Sequence, residues 1–226
     1  MRIVIAGGHG KIALLLERRL ADEGHDPVGI IRRADQSADL EAAGARALVL
    51  DLENTDVDTL AGHLGGADAV VFAAGGGGSS GAERKLTVDR DGAILLADAA
   101  EKAGVTRYVM VSAMHTDDFD AEKATMPVTD DDAVFQVYLR AKSEADADLR
   151  GRSALDWTIV RPGALTDEPA SGLVAVGSRL DSGSIPRADV ADIVATAIIE
   201  GTAVHTQFET VSGELPISDA LATIKY

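Results

Sequence analysis

The stretch Met1-Arg2-Ile3-Val4-Ile5-Ala6-Gly7-Gly8-His9-Gly10-Lys11-Ile12-Ala13 decides the fold. Residues 2–6 are mostly β-branched or apolar and too few for a helix, so they read as a short buried strand. From Lys11 onward the apolar residues Ile12, Leu15, Leu16 and Leu20 recur at helical spacing. Gly7, Gly8 and Gly10 mark the switch between the two periods. In such a strand–turn–helix unit, glycines let the backbone approach a pyrophosphate, and the helix N-terminus offers N–H donors and the positive end of its dipole. The spacing is Gly7-x-x-Gly10-x-x-Ala13, with alanine where a third glycine would stand; alanine also permits close helix–sheet packing there. The expectation is a dinucleotide site at this turn. A strand–helix connection that uses glycine for turn geometry alone is the competing reading.

Working outward, strands and helices alternate. Strands are expected at 28–31, 45–50, 67–74, 106–111 and 157–160, and helices at 11–23, 35–43, 55–64, 83–103 and 131–150, the last capped by Thr129 or Asp130. Runs such as Val70-Val71-Phe72-Ala73-Ala74 are apolar on both faces, as parallel strands covered by helices must be. The fold class is therefore α/β, a doubly wound parallel sheet of the Rossmann type. After residue 162 the alternation loosens. Short strands at 173–177 and 207–211, an amphipathic helix from about Ile185 to about Glu200 and a final helix at 216–224 follow. The expected organisation is one nucleotide-binding domain over 1–226, with 162–226 forming a small substrate or lid region.

Composition excludes several functions. A formal net charge of −16 argues against a nucleic-acid partner, since a phosphate backbone requires a basic face. There is no cysteine, so disulfides, thiolate catalysis and Cys-ligated metals are excluded. The five histidines are scattered without metal-ligand spacing, and no metal site is expected. The chain opens on a strand rather than a signal peptide and has no apolar run of membrane-spanning length, so the expected compartment is the cytoplasm, without membrane association. A small-molecule substrate is the expected partner; the sequence leaves monomer and homodimer open.

Ligands of open α/β sheets bind beyond the carboxyl ends of the strands. Strand two ends in Arg32-Arg33, where an acidic residue would receive a ribose 2′-hydroxyl. Two arginines instead suit a 2′-phosphate, which favours NADP(H) and leaves NAD(H) as the alternative. Asp51-Leu52 ends strand three, placed either to receive the adenine amino group or to cap a helical turn. Ala73-Ala74-Gly75 ends strand four, small enough for a cofactor to lie against backbone. Ser112 ends strand five, and Tyr138 and Lys142 share a face of the next helix. A phenol titrates near pH 10. A neighbouring ammonium favours its phenolate, so Tyr138 reads as a general acid/base, with Lys142 lowering its pKa and holding the nicotinamide ribose, and Ser112 orienting the substrate oxygen.

These residues carry a resemblance. Gly7-Gly8-His9-Gly10-Lys11-Ile12, Val88-Asp89-Arg90-Asp91-Gly92, the strand leading to Ser112, Tyr138-x-x-x-Lys142 and Asp156-Trp157-Thr158-Ile159-Val160-Arg161-Pro162-Gly163 together resemble the atypical short-chain dehydrogenases/reductases. Nearest are the NAD(P)-binding, NmrA-like proteins often named NAD-dependent epimerase/dehydratase. The resemblance spans nearly the whole chain. It implies a Rossmann fold, an NADP(H) site at the first turn and, in active members, a Ser112–Tyr138–Lys142 set. The chain is shorter than typical sugar-nucleotide epimerases, which argues against a nucleotide-sugar substrate. Three functions follow: an oxidoreductase acting on a small carbonyl or alcohol, a cofactor-sensing regulatory module, or an epimerase or isomerase using its cofactor transiently.

Overall fold

The opening strand, β1 (Arg2–Ala6), is buried on both faces. Ile3 and Ile5 point into one core, and Val4 and Ala6 into another. That alternation is the two-residue period of a strand clothed by helices on each side. The computed structural model describes residues 1–77, 80–128 and 130–224. Within them the chain runs β1, α1 (Lys11–Asp22), β2 (Asp26–Ile31), α2 (Ser37–Ala42), β3 (Arg46–Val49), α3 (Val57–Leu64), β4 (Ala69–Phe72), α4 (Ala82–Arg84), a π-helical segment (Lys85–Asp91), α5 (Gly92–Ala103) and β5 (Arg107–Val111). It continues through α6 (Asp131–Arg150), β6 (Asp156–Pro162), β7 (Ala164–Thr166), β8 (Leu173–Gly177), β9 (Ser184–Pro186), α7 (Arg187–Ile199), β10 (Thr206–Ser212), β11 (Leu215–Pro216) and α8 (Ile217–Ala222).

The main sheet has nine strands in the order β11-β8-β10-β6-β5-β4-β1-β2-β3. From β10 to β3 every pairing is parallel, while β8 and β11 add antiparallel rungs at one edge. This is the doubly wound sheet expected from the sequence. One face carries α1, α7 and α8, packed through Leu16, Leu20, Val190, Val194 and Leu221. The other carries α3, α5 and α6, packed through Leu60, Leu64, Leu96, Ala145 and Leu149. The chain reverses its direction of winding between β1 and β4, and a crevice opens there at the carboxyl ends. No helix among the described residues is long and apolar enough to cross a membrane.

Three local expectations are corrected. The helix expected over 83–103 is interrupted by the π-helical turn 85–91. The strand expected to stop at Val160 continues through Arg161 and Pro162. Pro162 lies in the last rung and contributes its carbonyl, which accepts from the Met114 amide at 3.0 Å, so its missing N–H does not end the strand early. The short strands β7 and β9 form a separate parallel pair that the sequence reading did not contain. Of the two caps proposed for α6, Thr129 lies outside the described residues, and Asp130 does the capping by accepting from the Ala133 amide at 2.8 Å.

One core residue breaks the apolar rule. Glu17 of α1 is fully buried, and neither of its carboxylate oxygens has a hydrogen-bond partner among the described residues. It occupies the space beside Gly29, where a Cβ would lie 2.3 Å from its Oε1. Burial pushes its pKa up to about 8. The native state therefore keeps this proton to a higher pH than the unfolded chain does. The resulting stabilisation is complete below the ordinary value of 4.5 and is lost as pH rises through about 8. Glu17→Gln removes the titration. Urea unfolding across about pH 5 to pH 8 should show wild-type stability falling relative to the variant by up to about 1.4 kcal/mol per pH unit. Parallel curves would contradict the assignment.

Candidate active site

The glycine turn is built for close approach. Gly7 has φ of +83°, and a Cβ on it would lie 2.5 Å from the Ala74 Cα. The turn leaving β1 and the backbone leaving β4 thus touch without side chains between them. Gly8 donates to the Ile30 carbonyl at 2.9 Å and Gly10 to the Gly7 carbonyl at 2.8 Å, which fixes the loop. Gly10 caps α1 without a side-chain hydrogen bond, and the first turn of α1 holds no acidic residue. The leading amides of a helix have no partner within it. By contrast, α3 and α6 are capped by Asp56 and Asp130. The amino end of α1 is left for an external anion.

Two adjoining clefts meet at Ala73, Ala74, Gly75 and Gly77. The smaller, about 300 Å³, runs past Gly7, His9 and Gly10 toward Ile31, Arg32, Asp51 and Leu52. The larger, about 880 Å³, holds Ile12, Ser112, Tyr138 and Lys142. The residues expected at the site are therefore brought together, with several differences in role. Gly8 lies behind the turn, where a Cβ would come 2.6 Å from the Gly29 Cα. The His9 ring is tied to Asp39 at 2.6 Å and to Gln36 at 3.0 Å. Lys11 reaches Asp167 at 2.6 Å instead of lining either cleft. Arg32 borders the smaller cleft, whereas Arg33 pairs with Asp35 at 3.2 Å and does not line it. The Asp51 carboxylate accepts from the Glu53 amide at 3.1 Å and from Asn54 Nδ2 at 2.8 Å, the capping role, while also lining the smaller cleft.

The catalytic candidates sit in a buried polar network that the sequence reading missed. Lys142 is buried, with its Nζ 3.3 Å from Asp89 Oδ1 and donating to the Val111 carbonyl at 3.2 Å. Burial alone would lower its pKa, but Asp89, Tyr138 and Asp146 together hold it above the usual lysine value. Asp89 Oδ2 accepts from the Gly76 amide at 2.8 Å, which ties the π-helical segment to the β4 loop. Ser112 donates to Asp146 Oδ2 at 2.9 Å. Asp146 also receives Arg161 Nε at 2.7 Å. Burial pushes the Tyr138 phenol up, although Lys142 acts in the opposite direction. Lys142 lowers the Tyr138 pKa, as expected, but desolvation is the larger effect, and Asp89 and Asp146 add to it. Lys85, 6% exposed, places Nζ 5.2 Å from the Tyr138 ring centroid. Among the described residues there is no group of three or more His, Asp or Glu side chains able to hold a metal.

A protein-family model described as NAD(P)H-binding matches residues 7–200. The Bacillus subtilis protein named uncharacterized sugar epimerase YhfK is 36% identical over 98% of this chain and 99% of its own length. A solved structure from Bacillus halodurans, described as a candidate NAD-dependent epimerase/dehydratase, is similar with a TM-score of 0.86 and 34% identity, covering 99% of this chain and 100% of that one. The oxidoreductase ylbE from Lactococcus lactis is similar with a TM-score of 0.82 and 29% identity, covering 99% and 96%.

The Asp89–Lys142 pair generates a stability prediction. Asp89→Ala leaves a buried ammonium without its carboxylate and should destabilise the protein by about 3–5 kcal/mol in denaturant titration. A loss below about 1 kcal/mol, the range of an exposed pair, would show that the ion pair is not buried in solution.

Proposed function

The chain belongs to the NAD(P)H-binding family, and we propose that within it the chain is an NADP(H)-dependent oxidoreductase that reduces a small carbonyl compound. The observation that carries this reading is that Tyr138, Lys142 and Ser112 line one cleft adjoining the glycine turn. The fit of a dinucleotide rests on the bare contact between Gly7 and Ala74 and on the uncapped start of α1. Gly7, Gly10 and the first amides of α1 would hold the diphosphate, Arg32 the 2′-phosphate and Ala73 to Gly75 the backbone face of the cofactor. Bound nicotinamide supplies or accepts the hydride.

The remaining chemistry falls to the chain. Tyr138, neutral as a phenol is at neutral pH, donates a proton to the substrate oxygen. Lys142, held by Asp89 and the Val111 carbonyl, steadies the phenolate that remains. Ser112 has its proton engaged by Asp146, so it meets the substrate as a hydrogen-bond acceptor and suits the hydroxyl of the product. One observation favours a second reading, a cofactor-sensing module without turnover: Ser112 and Lys142 both already have internal partners.

Turnover separates the two. NADPH oxidation measured over a panel of aldehydes and ketones should fall by about 10²–10⁴ in Tyr138→Phe with NADPH affinity retained. Activity surviving the substitution unchanged would remove Tyr138 from the chemistry, and tight NADPH binding without turnover of any compound would favour the sensor. Arg32→Asp should weaken NADPH binding by about ten- to a hundredfold and leave NADH nearly unchanged, as read by calorimetry. Equal losses for both cofactors would overturn the NADP assignment.

A further inference from the structure

Lys85 has no part in the Ser112–Tyr138–Lys142 set, yet it is the most unusual charge in the larger cleft. It is 6% exposed, and its hydrogen bond runs to the neutral Gly77 carbonyl. Among the described residues no carboxylate lies within 4.0 Å of its Nζ. The nearby acid, Asp89, is already engaged by Lys142 at 3.3 Å and by the Gly76 amide at 2.8 Å. Lys85 is therefore a buried ammonium in the cleft wall without a carboxylate partner of its own. Burial lowers the Lys85 pKa, with Asp89 opposing and Lys142 adding to the fall, as expected of an ammonium short of counter-charge. An anion arriving at this point would gain a partner that is not diluted by water.

The rest of the lining differs in kind. Val134, Phe135 and Leu165 line the same cleft. Phe135 is 52% exposed, and its ring lies 6.0 Å from that of Tyr138 at an interplanar angle of 29°. A half-exposed aromatic ring beside the proposed proton donor offers a face for a flat apolar body. Asp131 lines the cleft in the first turn of α6 and is exposed, so it disfavours negative charge at the outer rim. The buried Lys85 would take an anion and the half-exposed Phe135 an apolar body, on either side of their shared neighbour Tyr138.

We infer that Lys85 is the anion-binding residue of the substrate site, and that the substrate is an aromatic or otherwise flat apolar compound carrying a carboxylate. This inference rests on the oxidoreductase reading for the word substrate, but its binding chemistry can be tested apart from turnover. Calorimetry would compare 2-naphthoate with the neutral 2-naphthalenemethanol, on protein saturated with NADPH and on protein without it. Wild-type protein should bind the acid at least about tenfold more tightly than the alcohol. Lys85→Met should abolish that preference while leaving NADPH affinity and the thermal midpoint unchanged. Phe135→Ala should weaken both compounds by the same factor.

Absence of acid binding at millimolar concentration, lack of preference in the wild type, or equal weakening of acid and alcohol in Lys85→Met would each overturn the inference. Loss of NADPH affinity in Lys85→Met would do the same, by assigning the lysine to the dinucleotide. Failure of NADPH binding together with a Lys85-dependent preference for the acid would sink the oxidoreductase reading and leave the anion site standing.

Discussion

The contact between Gly7 and Ala74 is the constraint on which the rest of the structure depends. Two chain segments leave adjacent parallel strands and approach until a Cβ on the first would lie 2.5 Å from the Cα of the second. That approach requires glycine twice over, for space and for a φ of +83°. It brings the start of α1 to the point where the sheet reverses its winding, and so directs an uncapped helix end into the crevice. The two clefts share the backbone from Ala73 to Gly77 because that backbone is the other half of the contact.

Stability and chemistry are coupled through the π-helical segment. The wider turn at 85–91 buries Lys85 and Asp89, at 6% and 1% exposure, beside the end of β4. Asp89 then compensates Lys142 on α6 and accepts the Gly76 amide, so one carboxylate joins three elements around the cleft. A buried ion pair contributes little net stability against an apolar replacement, whereas breaking it is costly. The pair is better understood as fixing positions: it determines where Lys142 stands relative to Tyr138.

The sequence made legible those parts of the fold that local chemistry dictates. The central strands are short β-branched runs closed by small or polar residues, and the doubly wound class followed from their alternation with helical periods. The cleft residues at strand ends were legible for the same reason, since the topology places every carboxyl end on one side. Three kinds of feature were not legible. The strands β7 and β9, of three residues each, are too short to show a period. The π-helical turn buries Lys85 and Asp89 beside Val88, and no local sequence signal marks it. The pairings Asp89–Lys142 and Ser112–Asp146 join different elements, and a single sequence offers no signal that two distant polar residues meet. Lys85-x-x-x-Asp89 did carry a trace, a charge pair at helical spacing, but the structure gives the aspartate to another lysine. The effect of burial on Tyr138 was not legible for a related reason: proximity in sequence was visible, while desolvation was not.

The acidity of the chain and the two buried lysines of the cleft are compatible because their charges act at different ranges. A formal net charge of −16 belongs mostly to exposed side chains, whose fields are screened within about 10 Å at moderate salt. Lys85 and Lys142 lie in low-dielectric surroundings, where screening is weak and each charge acts strongly on its neighbours. Long-range attraction of an anionic ligand is therefore small or unfavourable, and capture depends on the last few ångströms. For such a site the association rate should be modest and nearly insensitive to salt, with affinity residing in slow release. Net charge disfavours an extended polyanion more than a small anion, because the former needs a basic face and the latter needs only a desolvated ammonium and a few free amides.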